Sequence, residues 1–212
     1  MTIRKLLVLL GLTCIPAFAA DKPKLGFDEF FNAVDFSAVK LSADGQSVVI
    51  CTERADWDQN IFRKDLWLYR DSILTQLTRS GHDADPEWSP DGRWVAFLSD
   101  RKLPGAPDEA DHADAKDDTA QLYVISPNGG EAIPVTTAEE EVHAFAWASD
   151  SKSLYFATRQ PLTKEQKDAN KKDWKDVIRY RDGERGDTIF SIDLAGAMAR
   201  AQARGVMTCS IG

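Results

Sequence analysis

The chain has 212 residues, 43% hydrophobic and 28% charged, with 34 acidic against 26 basic side chains and a formal net charge of −8. These proportions exclude wholesale disorder, and the length suits one large domain or two small ones. The acidic balance argues against a nucleic-acid partner, whose phosphates would repel it.

Residues 1–20 stand apart. Arg4 and Lys5 precede an apolar run from Leu6 to Ile15, and Ala17-Phe18-Ala19-Ala20 supplies small residues for cleavage before Asp21-Lys22. That order predicts a secretory signal peptide and hence an exported protein, periplasmic or extracellular. A membrane anchor needs about 20 apolar residues, more than this run offers. Cys14 raises the question of lipidation, but Gly11-Leu12-Thr13 before it does not make a lipobox, so no membrane association is expected after cleavage. Cleavage would leave 24 basic against 34 acidic residues, a net charge of −10. Of the remaining cysteines, Cys51 sits in an apolar run as a small buried hydrophobe and Cys209 lies near the C-terminus, so no disulfide framework is expected.

After a lead-in segment, 21–37, one phrase occurs three times. VKLSADGQSVVICTER (39–54), PEWSPDGRWVAFLSDR (86–101) and FAWASDSKSLYFATRQ (145–160) align without gaps, placing Leu41, Trp88 and Trp147 together and Asp44, Asp91 and Asp150 together. Each phrase reads as strand, tight turn, strand. A third strand follows in each copy (DLWLYR, QLYVIS, TIFSID), and a fourth in the first two (ILTQLT at 73–78, EAIPVTT at 131–137). Four antiparallel strands per repeat predict an all-β fold, a β-propeller. About three blades are present, an incomplete set, near 38–78, 84–137 and 143–194, with a short helical insertion in the third and an irregular or helical tail at 195–212.

Turn chemistry explains the recurring residues. In Ser89-Pro90-Asp91-Gly92 proline presets φ, aspartate bonds local backbone, and glycine takes the left-handed conformation. The third copy has Ser151 where the others have Gly45 and Gly92, a strain of about 1 kcal/mol that predicts a looser turn. Three equivalent aspartates also invite a metal or catalytic reading, but their turn positions account for them. Trp88 and Trp147 read as core residues between blades rather than as stacking platforms for a ligand. No cofactor or metal is implied.

Two insertions interrupt the repeat. Residues 104–118 carry six carboxylates, Lys116 and His112, and lack the spacing of a calcium loop, so they read as a solvated acidic excursion rather than a cation site. Residues 161–187 open with Thr163 and Gln166 at capping-box spacing and continue as a Lys/Asp-rich helix to about Trp174.

The phrases WSPDGRWVAFLSDR, QLYVISPNGGEAIPVT and DVIRYRDGERGDTIFSIDL, with FDEFFNAVDFSAVKLSADGQSVVI before them, resemble the N-terminal propeller of the prolyl oligopeptidase family of serine peptidases, in its acylaminoacyl-peptidase and dipeptidyl-peptidase branch. The resemblance spans about residues 25–194. It implies a propeller set before an α/β-hydrolase domain and gating the access of short peptides, with catalysis needing no metal or cofactor. The W-S-P-D-G unit is shared with TolB-like periplasmic propellers, which gives the alternative of a protein-binding module.

The departure from the family is sharp. No G-x-S-x-G nucleophile elbow occurs in the sequence, and none of His82, His112 and His143 has a marked serine beside it. No catalytic residue is therefore assigned, and the chain alone is expected to be inactive. The stretch AGAMARAQARGVMTCSIG after Leu194 does not continue the repeat; a truncation or frameshift is the leading explanation, and a genuine small protein ending in a helix over 195–204 the alternative. Open blade faces are expected to meet a protein partner or a second copy, and peptide substrate only through a hydrolase domain.

Overall fold

Short apolar strands, separated by the aligned turns, fold in chain order into three antiparallel sheets. The computed structural model describes residues 24, 26–102, 119–138, 140–160, 163–165, 168 and 186–209, with side chains to residue 203 in the last stretch. The expectations for residues 1–20, for the acidic excursion with His112 and for most of the 161–187 insertion lie outside these residues. Within that insertion Lys164, Glu165 and Asp168 are helical.

A five-residue helix, α1 (Phe27–Phe31), precedes β1 (Asp35–Leu41), β2 (Ser47–Asp56), β3 (Ile61–Arg70) and β4 (Ile73–Gln76), which pair in sequence order. The same meander recurs in β5 (Asp83–Trp88), β6 (Val95–Ser99), β7 (Gln121–Ile125) and β8 (Ile133–Pro134). A third sheet joins β9 (Val142–Trp147), β10 (Ser153–Arg159) and β11 (Asp187–Asp193), three strands among the described residues, and α2 (Leu194–Cys209) follows directly. The first strands of successive sheets meet, β1 with β5 and β5 with β9. These are consecutive blades of an all-β propeller.

Burial follows from stacking. The middle blade is covered on both faces, so β6 (VAFLS) and β7 (QLYVI) are buried at every position and carry little alternation. One of its faces packs Val95, Phe97, Tyr123 and Ile125 against Val49, Cys51, Leu66 and Leu68 of the first blade. The other packs Ala96, Leu98, Leu122 and Val124 against Val142 and Leu154 of the third blade and Leu194 and Ala197 of α2. The first blade has one covered face, and β2 accordingly alternates, Val49 and Cys51 buried and Val48 and Ile50 half-buried.

The three hairpin turns are one structure. Gly45, Gly92 and Ser151 donate their N–H groups to Ser42, Ser89 and Ala148 carbonyls at 2.9, 2.9 and 3.1 Å. Asp44, Asp91 and Asp150 each accept a backbone N–H two residues on, at 3.0, 3.1 and 2.8 Å, which places all three as turn residues. The expected loosening at Ser151 does not occur. Ser151 adopts the left-handed φ of 58° beside 71° for Gly45 and 69° for Gly92. Its hydroxyl accepts the Asp91 N–H of the neighbouring blade at 3.0 Å, a bond glycine has no atom to make, and this offsets the strain.

The tryptophans join blades through backbone. Trp88 Nε1–H donates to the Lys40 carbonyl at 3.0 Å, and Trp147 Nε1–H to the Glu87 carbonyl at 3.2 Å. Lys40 and Glu87 are equivalent repeat positions, one residue before Leu41 and Trp88. Both indoles also pack in the interblade cores, as expected of them. A second recurring device closes the outer edge, where Thr78 and Thr136 hydroxyls each accept a third-strand N–H, from Leu66 and Leu122, at 2.9 Å. The helix α2 starts on a capping bond, Gly196 N–H to Asp193 Oδ2 at 2.7 Å, and its Leu194 and Ala197 are buried.

Candidate functional site

The histidines are the first side chains to place, because hydrolysis would need one. His82 Nδ1 lies 2.9 Å from Asp100 Oδ1, and the residue's own N–H is taken by the Ser80 hydroxyl. This pair borders a cleft of about 350 Å³ with Lys64, Asp85 and Ser99. His143 Nδ1 lies 3.2 Å from Glu141, while its buried Nε2 makes no hydrogen bond and stands 3.9 Å from Asp187. Among the described residues no serine hydroxyl is hydrogen-bonded to either imidazole, so these residues do not assemble a serine–histidine pair. Nor do the described residues bring three or more His, Cys, Asp or Glu side chains together for a metal ion.

The most buried charge was not singled out by the sequence. Asp83, at the start of β5, is fully buried and is held by Arg101 through Nη2 to Oδ1. The Arg101 guanidinium lies over the rings of Phe97 and Tyr123, 5.4 and 4.9 Å from their centroids, and those rings stack 5.8 Å apart. Asp83 Oδ2 and Tyr123 Oη have no hydrogen-bond partner. Burial pushes the Tyr123 phenol up and outweighs the nearby Arg101. Cys51 completes the group, its Sγ 3.3 Å from the Asp83 carbonyl, and burial likewise pushes its thiol up, so it stays protonated and inert. A protonated thiol, a neutral phenol and a paired carboxylate offer no nucleophile. This cluster binds the first two blades together.

Two surfaces remain open. On the first blade Phe36, Val39, Leu41, Tyr69 and Leu74 are 45–67% exposed and form one apolar face. It holds a recess of about 440 Å³ lined by Phe36, Ile50, Trp67 and Leu74. The second surface is a cleft of about 690 Å³ at the turn end, where the hairpins of the second and third blades meet the first turn of α2. Trp94, Leu194 and Met198 are its apolar lining, and Arg70, Arg93 and Lys152 its cations. No helix among the described residues is long and apolar enough to cross a membrane.

No protein-family model matches the chain. It is 26% identical over 130 residues to the uncharacterized peptidase YuxL of Bacillus subtilis (strain 168), a match covering 60% of this chain and 18% of that protein. Among solved structures, acylaminoacyl peptidase of Pyrococcus horikoshii superposes with a TM-score of 0.55 at 17% identity, over 79% of this chain and 24% of that one. AtxE2 isopeptidase superposes with a TM-score of 0.57 at 14% identity, over 82% and 32%. The chain therefore spans less than a third of the length of each of these three proteins. At these identities the superpositions speak for the fold, and all three proteins are peptidases by name, in line with the resemblance read from the repeat phrases.

Proposed function

We propose that the chain is the propeller portion of an exported serine peptidase of the prolyl oligopeptidase family, a part without catalytic groups of its own. With a hydrolase domain it admits short peptides and holds folded chains out. The observation that carries this reading is the 26% identity over 130 residues to a peptidase, in a chain whose sheets are propeller blades. The physical fit is that interlocked blades make a stiff barrier: the two tryptophan bonds tie each sheet to the next, and the Cys51 thiol adds a bond from the first blade to the Asp83 carbonyl of the second, so the blades move together. Export is supported by the charged, then apolar, then small-residue order of residues 1–20.

The test is to read the coding DNA downstream of codon 212 in all frames. Further blades followed by a G-x-S-x-G elbow support the proposal; a stop with nothing coding beyond it sinks it. Aminoacyl and dipeptidyl chromogenic substrates should show no turnover above buffer with the 212-residue chain, and clear turnover would contradict the non-catalytic role.

A further inference from the structure

The turn-end cleft has a charge balance at odds with the rest of the protein. In a chain of net charge −8 its lining carries Arg70, Arg93 and Lys152 against one carboxylate, Asp193, which is engaged in capping α2. Each cation reaches the cleft from a different blade. Arg70 ends β3 and is fixed by Nε to Ser47 Oγ at 2.8 Å and Nη1 to Asn128 Oδ1 at 3.1 Å, which leaves Nη2 uncommitted among these bonds. Arg93 is ion-paired with Asp91 at 2.8 Å, which offsets its charge and leaves Arg70 and Lys152 as the lining cations without an ion-pair partner among the described residues. Lys152, exposed on the β9–β10 turn, has no ion-pair partner among the described residues. The same lining includes Trp94 and Met198, both packed against the interblade core and so held in place.

An apolar floor inside a cationic rim selects an amphiphilic anion. The volume, about 690 Å³, is within the range of small-ligand sites. We infer that this cleft binds the C-terminal end of a short peptide, its free carboxylate at Lys152 and its apolar last side chain on Trp94 and Met198. The choice of a peptide as the anion rests on the proposed function; the preference for an apolar carboxylate rests on the cleft alone.

The probe is N-dansyl-Ala-Leu-Phe as the free acid, compared with the same peptide as its C-terminal amide, titrated by dansyl fluorescence anisotropy against the 212-residue chain. The acid should bind about tenfold more tightly than the amide, the worth of one charge-assisted contact. Its affinity should fall with added salt while that of the amide does not. Lys152→Glu, at an exposed turn position, should remove most of the acid's advantage. Equal binding of acid and amide, no binding of either, or an unchanged preference in Lys152→Glu would each overturn the inference. Such failures leave the peptidase-propeller reading standing, since that reading is decided by the downstream coding sequence.

Discussion

Replacing Arg101 by methionine should cost about 3–5 kcal/mol of folding stability, because it strands the Asp83 carboxylate inside the protein without a countercharge. Asp83 is fully buried, Arg101 is its ion-pair partner, and Oδ2 has no second donor, so nothing else in its surroundings takes up the charge. Methionine keeps apolar bulk beside Phe97 and Tyr123, which limits the cavity and leaves the lost charge as the main change. Loss of the guanidinium over the two rings adds about 1–2 kcal/mol. Asp83→Asn, which removes the charge from the other side, should cost less, about 1–3 kcal/mol. The double variant should therefore be more stable than the sum of the singles implies, by about 1–3 kcal/mol. Urea unfolding at neutral pH, followed by tryptophan fluorescence, measures all three. A loss below about 1 kcal/mol in Arg101→Met, or strict additivity in the double variant, would refute the reasoning.

Three further outcomes follow from particular contacts. Ser151→Gly relieves the left-handed strain but loses the acceptor for Asp91 N–H, and should lie within about 1 kcal/mol of neutral. Ser151→Ala keeps the strain and loses the acceptor, so it should unfold at lower urea than Ser151→Gly. The Ser42 hydroxyl holds the Asp44 carboxyl below its ordinary 3.8; at Asp91 burial pushes the carboxyl up, and the Ser89 hydroxyl and Arg93 more than offset it. Depressed folded values mean stability that is present above the ordinary carboxylate value and lost as pH falls through the lowered one, so Tm should drop below about pH 4. The Asp44→Asn/Asp91→Asn double variant should flatten that acid limb, and an unchanged limb would assign it to other groups. The apolar face of the first blade should make the chain cleaved after residue 20, residues 21–212, self-associate, visible as a sedimentation coefficient that rises with concentration. Leu41→Lys with Leu74→Glu should suppress the rise, and a concentration-independent monomer in the unaltered chain would show the face to be harmless.

What was legible in the sequence was whatever is written locally and repeated. The turn residues, the strand alternation and the blade order all lie within a few positions of one another, so aligning 39–54, 86–101 and 145–160 was enough to read them. Cys51, Trp88 and Trp147 were placed in the core for the same reason. The Asp83–Arg101 pair was missed because it is not repeated: the aligned positions are Phe36 and Arg54 in the first blade, Val142 and Gln160 in the third. The two residues are 18 positions apart, and only pairing of β5 with β6 brings Asp83 opposite Ser99 and within reach of Arg101. The expectation at Ser151 failed from the same blindness to distance. Propensity counts the cost of serine at positive φ, while the compensating N–H comes from Asp91, 60 residues earlier and in another sheet. The cationic cleft was likewise unreadable, since Arg70, Arg93 and Lys152 sit in three blades and meet only when the turns align.

The tryptophan links carry a consequence for how such a chain can change over time. Each indole grips a main-chain oxygen of the preceding sheet, so the joint is indifferent to the side chain carried at that position, and it is Lys at 40 and Glu at 87. A joint of this kind makes the blade an interchangeable part. A duplicated sheet brings its own indole and its own carbonyl, and the neighbours on either side need no matching substitution to receive it. Innermost-strand positions are thereby released to vary, and the Lys40–Glu87 ion pair that now bridges them shows one use made of that freedom.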